Sequence, residues 1–132
     1  MTATSSFGFT KLIVHDLEKQ AAFYAEAYGL HAVQRVRAEI GSEAIDEIML
    51  SSDPNASFGS LILLKFVERM AARDGELILG FVTDDLDALL ERVCAAGGGV
   101  HAPAKEMPEM KLRVAFATDP EGHLAELVQL VP

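Results

Sequence analysis

One pattern recurs along this chain at a constant offset of 69 residues: a run rich in β-formers, an acidic cap, an apolar helical stripe and a glycine. Phe9-Thr-Lys-Leu-Ile-Val14 leads to Asp16-Leu17, and Gly29 ends the stripe of Leu17, Ala21, Tyr24 and Tyr28. Leu77 to Val82 leads to Asp84-Asp85-Leu86, and Gly97-Gly98-Gly99 ends the stripe of Leu86, Leu89, Leu90 and Val93. An aspartate ahead of such a stripe accepts hydrogen bonds from the free amides of the first turn, and glycine supplies the left-handed stop. A repeated unit of this length must build each half in the same way.

The segments after each helix complete the unit. After Gly29, His31 to Ile40, Glu43 to Ser51 and Gly59 to Val67 read as three strands, separated by Gly41-Ser42 and by a loop containing Asp53-Pro54-Asn55. After Gly99 the chain reads as a short extended piece at Val100 to Ala102 and a loop carrying Pro103, Met107, Pro108 and Met110. Two strands then close it, Leu112 to Ala117 and Leu124 to Val131, joined by Asp119-Pro120-Glu121-Gly122. The expected class is α+β: two βαβββ modules of one domain spanning residues 1–132, about 7–68 and about 75–132, linked near Met70 to Gly75.

Composition removes several functions. The 132 residues are 50% hydrophobic, too apolar for disorder, and a single cysteine, Cys94, rules out an internal disulfide or a multi-thiolate cluster. Twenty Asp and Glu against eleven Lys and Arg give a net charge of -9 with no basic run, which argues against nucleic acid and anionic membranes as partners. Apolar runs such as Leu61 to Leu64 are far shorter than a bilayer span, and Met1 to Phe9 lacks the basic and apolar pattern of a secretory leader. The expectation is a soluble, cytoplasmic protein. No nucleophile triad or nucleotide fingerprint appears, because the glycine run comes after a helix instead of preceding one.

Val14-His-Asp-Leu-Glu-Lys-Gln-Ala-Ala-Phe-Tyr24 with Gly29-Leu30, and Asp119-Pro-Glu-Gly-His-Leu-Ala-Glu-Leu-Val128, resemble the opening and closing motifs of the vicinal oxygen chelate superfamily. That group holds glyoxalase I, bleomycin-resistance proteins, extradiol dioxygenases and methylmalonyl-CoA epimerase. The resemblance covers nearly the whole chain and implies a glyoxalase-like fold, with βαβββ modules whose curled sheet forms a cup, in a homodimer. It also implies four metal-ligand positions, which fall here on Phe9, Leu63, Ile78 and Glu126. Phe, Leu and Ile offer no donor to a divalent ion, so no metal and no other cofactor is expected.

Strand alternation then gives the side chains expected to face the cup. With Phe9 inward, Lys11 and Ile13 share its side; the same parity gives Leu61, Leu63 and Lys65, then Glu76, Ile78 and Gly80, then Leu124, Glu126 and Val128. A largely apolar cavity with a few charged groups suits a small, partly apolar organic ligand. Glu126 is the candidate catalytic residue, since an unpaired carboxylate between Leu124 and Val128 is costly and desolvation favours its protonated form. It reads either as a general base or ligand acceptor, or as a structural acid paired with Lys11 or Lys65. Phe9, Lys11, Leu61, Leu63, Lys65, Ile78 and Leu124 are the candidate ligand-binding residues, the lysines as anchors for an anionic group or as packed stems with solvated amines.

The remaining polar side chains read mainly as structure. Arg35 and Arg37 share one strand face, read either as solvated or as meeting a carboxylate at the mouth of the cup, and Cys94 reads as core. His15, His31, His101 and His123 are dispersed without chelate spacing. Three functions stand open: a binding protein that sequesters a small molecule, a metal-independent lyase or isomerase using Glu126, and a metalloenzyme with a displaced site, against which the ligand positions argue.

Overall fold

The protein is described by a computed structural model covering residues 7–70 and 77–132. The elements run β1 (Thr10–Ile13), α1 (Leu17–Tyr28), β2 (His31–Ile40), β3 (Glu43–Ser51), β4 (Leu61–Phe66), β5 (Ile78–Thr83), α2 (Leu86–Ala95), β6 (Gly99–Met107), a 3-10 turn (Pro108–Met110), β7 (Leu112–Thr118) and β8 (Leu124–Leu130). The four-stranded sheets have orders β1-β4-β3-β2 and β5-β8-β7-β6. In each, the first and last strands of the module run parallel and the remaining pairs antiparallel, so the βαβββ topology occurs twice and the class is α+β. Neither sheet closes on itself.

Both helices start as their caps dictate. Lys19 N donates to Asp16 Oδ1 at 3.1 Å, and Ala88 N donates to Asp85 Oδ1 at 3.1 Å. Both end at expected glycines, in the second module one residue earlier than the 69-residue offset would place it. Gly29 takes the left-handed conformation at φ 70°, but in the second module Gly97 does so, at φ 104°. Gly98 is instead demanded by space: a Cβ there would press on the Thr118 carbonyl oxygen and lie 2.8 Å from Val93 Cγ1 and 2.9 Å from Phe23 Cε1. The α1 stripe also turns relative to the expected one, burying Leu17, Gln20, Phe23, Tyr24 and Ala27.

The expected short piece at Val100 to Ala102 is part of a nine-residue strand, β6, that takes in Pro103 and Met107. It lies at the end of its sheet, where a strand tolerates proline's missing N–H, and its register shifts on either side of Ala102.

The chain forms two compact units, one of residues 7–21 and 30–70, the other of 22–29 and 77–132. Residues 22–29 of α1 therefore group with the second sheet, although the sequence assigns the whole helix to the first module. Of the expected link at Met70 to Gly75, residues 71–75 lie outside the described residues, as does Glu76. In the first unit the core is Leu12, Ile45, Ile48, Leu50 and Leu61 to Leu64, each less than 10% exposed. In the second, Ala115, Ala117, Ala125 and Leu127 lie on the face toward α2, whose stripe Leu86, Leu89 and Val93 is buried; alanine on the strands lets the helix approach closely. No helix among the described residues is long and apolar enough to cross a membrane.

Candidate functional site

Register decides which expected cup residues share a face, because laterally paired residues point to the same side of a sheet. In the second unit β5 and β8 pair Ile78 with Leu124, Gly80 with Glu126 and Val82 with Val128. On the other side of β8, Phe116 lies opposite Glu126 and Val114 opposite Val128. Ile78, Leu124 and Glu126 are thus brought onto one face. Ile78 is 55% and Val82 74% exposed there, and Leu124, Glu126 and Val128 are half-buried. A groove of about 450 Å³ lies along this face, bordered by residues that include Ile78, Gly80, Val82, Glu126 and Val128.

Glu126 stands as the one charged side chain of that groove. Among the described residues no hydrogen bond or ion pair reaches its carboxylate, and neither lysine expected as its partner pairs with it. Lys11 Nζ lies 2.6 Å from Glu47 Oε2 and 5.7 Å from the centre of the Phe9 ring. Lys65 lies opposite Asp46 in the register of β3 and β4.

The first unit departs from the expected cup. β1 and β4 pair Lys11 with Ile62 and Leu12 with Leu63, so Leu61, Leu63 and Lys65 lie on the face opposite Lys11. The slip is by one residue: Leu61 to Leu64 is an unbroken aliphatic run whose parity the sequence does not display. Leu61 and Leu63 are core, at 8% and 0% exposure. Phe9 precedes β1, 42% exposed, its ring centre 5.5 Å from that of Phe58. The first-unit counterpart of Glu126 is Ile62, since Lys11 stands to Ile62 as Gly80 stands to Glu126.

Neither version of the four metal positions fits a divalent ion. With Ile62 replacing Leu63, the set still offers a single oxygen donor, that of Glu126. Among the described residues no group of three or more His, Cys, Asp or Glu side chains is placed to hold a metal.

Three arrangements escape the sequence reading. Glu47, 4% exposed, is the buried partner of Lys11; its place between Ile45 and Met49 on one face of β3 was the available signal. Asp119, 5% exposed, anchors the turn into β8. Its Oδ1 accepts from Glu121 N and His123 N at 2.9 and 3.0 Å, and its Oδ2 accepts from Tyr24 Oη at 2.8 Å and lies 2.7 Å from His123 Nδ1. Burial by itself raises the Asp119 pKa, but the hydrogen bonds and charge of His123 and the Tyr24 hydroxyl outweigh it and hold the carboxyl below its ordinary value. Burial and then the adjacent Asp119 charge push the Tyr24 phenol far upward, so it remains a donor. Arg35, read as solvated or as meeting a carboxylate at the mouth of the cup, clamps Asp46 with two bonds of 2.8 and 2.7 Å and reaches Glu18 at 2.9 Å.

Residues 6–127 match the family described as the Glyoxalase/Bleomycin resistance protein/Dioxygenase superfamily, and the chain belongs to it. It is similar to a probable lactoylglutathione lyase of Vibrio parahaemolyticus, 29% identical over 123 residues covering 91% of this chain and 87% of the relative. A lactoylglutathione lyase of Arabidopsis thaliana is 27% identical over 122 residues, 90% of this chain but only 42% of the plant protein. Among solved structures, a glyoxalase family protein from Bacillus cereus superposes with a TM-score of 0.81 at 18% identity, covering all of both chains. Glyoxalase I from Zea mays gives 0.73 at 22% identity over 90% of this chain and 44% of that one. These likenesses establish the glyoxalase-like fold.

Proposed function

We propose that this superfamily member binds a small, partly apolar organic molecule on the β5–β8 face without a divalent metal, with Glu126 as its acceptor. One observation carries the reading: an apolar groove whose single charged side chain has no partner among the described residues. A groove of this size, apolar with one polar group to set orientation, has the composition of small-molecule sites. The donor-poor set of Phe9, Ile62, Ile78 and Glu126 supports the metal-free part. The proposed setting is the cytoplasm and the proposed state a homodimer, for which light scattering should return roughly twice 14.2 kDa.

A second reading, a lyase or isomerase using Glu126 as general base, is favoured by the same free carboxylate and by the relatives named lactoylglutathione lyase. The test is native mass spectrometry of purified protein, elemental analysis of the same sample, and a lactoylglutathione lyase assay of wild type and Glu126→Gln. The binding reading expects a retained organic molecule, well below one equivalent of Zn, Ni, Fe or Mn, and no turnover. Turnover that falls at least ~10²-fold in Glu126→Gln establishes the general base instead. A stoichiometric transition metal overturns the metal-free claim.

A further inference from the structure

Most glycines of this chain have a structural reason. Gly29, Gly41, Gly97 and Gly122 hold positive φ, and a Cβ on Gly59 or Gly98 would collide with neighbouring backbone. Gly80 has neither reason. It lies within β5, outside the left-handed region, and a Cβ added there meets nothing within 4 Å. Glycine weakens a strand because it has more freedom to lose and no side chain to pack, and a β-branched residue would serve β5 better. A glycine that the fold does not need, inside a strand, marks a place where something else approaches the backbone. Its lateral neighbour is Glu126.

Resting on the binding reading above, we infer that Gly80 is a specificity-determining position: its missing side chain opens a notch beside Glu126 that admits the hydrogen-bond-donating head of the ligand. An ionised carboxylate only accepts, so the head must carry N–H or O–H, as a protonated amine or a hydroxyl does, and a carboxylate head is repelled. The cation expected to draw an anion, Lys11, is neutralised by Glu47 in the other unit. The apolar body of the ligand lies on Ile78, Val82 and Val128, which border the same groove.

The experiment titrates isotope-labelled full-length protein with benzylamine, benzyl alcohol and benzoate, which share a ring and differ in the head. Amide chemical shifts report both the place and the strength of binding. Benzylamine and benzyl alcohol should move the amides of β5 and β8, and benzoate should bind at least tenfold more weakly. Equal affinity for amine and alcohol identifies a neutral donor as sufficient; a preference for the amine identifies a cationic head, and both support the inference. In Gly80→Val, benzylamine affinity should fall at least tenfold with the remaining spectrum preserved, and Gly80→Ala should fall between. Should Gly80→Val not fold, Gly80→Ala alone decides. Unchanged benzylamine affinity in the folded variants overturns the role of Gly80. Benzoate binding as well as benzylamine overturns the donor head while leaving the binding reading intact. No shift in β5 or β8 with any probe overturns the binding reading itself, and this inference with it.

Discussion

The two sheets share strand order, parallel pairing and helix caps, yet they treat one face in opposite ways. In the first, Lys11 pairs with Ile62, Ile62 with Met49 and Leu64 with Glu47; Ile62, Leu64, Met49 and Glu47 are all under 10% exposed. In the second, the counterparts Gly80, Glu126, Phe116 and Val128 form an accessible groove flank with Ile78 and Val82 exposed. The exchange of lysine for glycine and isoleucine for glutamate accompanies the change from a sealed face to an open one. Backbone topology alone does not decide how a face is used; the side chains at these paired positions distinguish the halves.

The contrast can be tested from its largest effect downward. Leu64→Ala in the first sheet should cost about 2–5 kcal/mol in urea unfolding, through lost burial and the cavity left behind. Val82→Ala on the open face of the second should stay within about 0.5 kcal/mol, since it is already 74% exposed. Comparable losses at both would break the distinction between a sealed and an open face.

Lys11→Met strands the buried Glu47 and should cost about 3 kcal/mol, at the low end for a broken buried pair because the lysine side chain remains 33% exposed. Adding Glu47→Leu should recover most of that loss, since apolar packing often replaces a buried pair without penalty. A double variant as unstable as Lys11→Met would show that the pair contributes more than its own neutralisation.

Tyr24→Phe removes one donor from buried Asp119 and should cost about 1.5–3 kcal/mol, the scale of a hydrogen bond to a charged group. Asp119 also sets an acid limit. Its folded-state pKa lies below the unfolded value of about 3.9, so its stabilisation is present above that value and lost as pH falls through the folded one. Thermal midpoints measured from pH 6 downward should drop below about pH 4, and less so in Asp119→Asn. The smallest change is expected for Glu126→Gln, within about 0.5 kcal/mol in stability, while probe affinity falls. A large loss of stability there would return Glu126 to a structural role.

Much of this frame was readable in the residues. Asp16 and Asp85 announce their helices because a cap's chemistry is local, and β2 and β3 fall where turn residues bound them. Glu126 was also readable, since Ala125 and Leu127 alternate with Leu124 and Val128 along β8. The partner of Lys11 was not, because cross-strand pairing depends on register, and four consecutive aliphatic residues in β4 conceal it. The length of β6 was hidden for a different reason: glycines and prolines spell a loop, whereas an end strand accommodates them.

β2 and β6 close one side of their respective sheets, each with one edge of backbone unpaired among the described residues. β2 carries Arg35, Arg37 and Glu39, with an irregularity between Ala32 and Gln34; β6 carries Pro103, Lys105 and Glu106 and two breaks of register. Charge, proline and bulges are what deny a stray strand a continuous ladder to add to. The consequence is for handling at high concentration: stacking of chains through these borders, the route to fibrous aggregates, is blocked at both, so replacing Pro103 and Lys105 with valine should bring on precipitation long before it disturbs the fold.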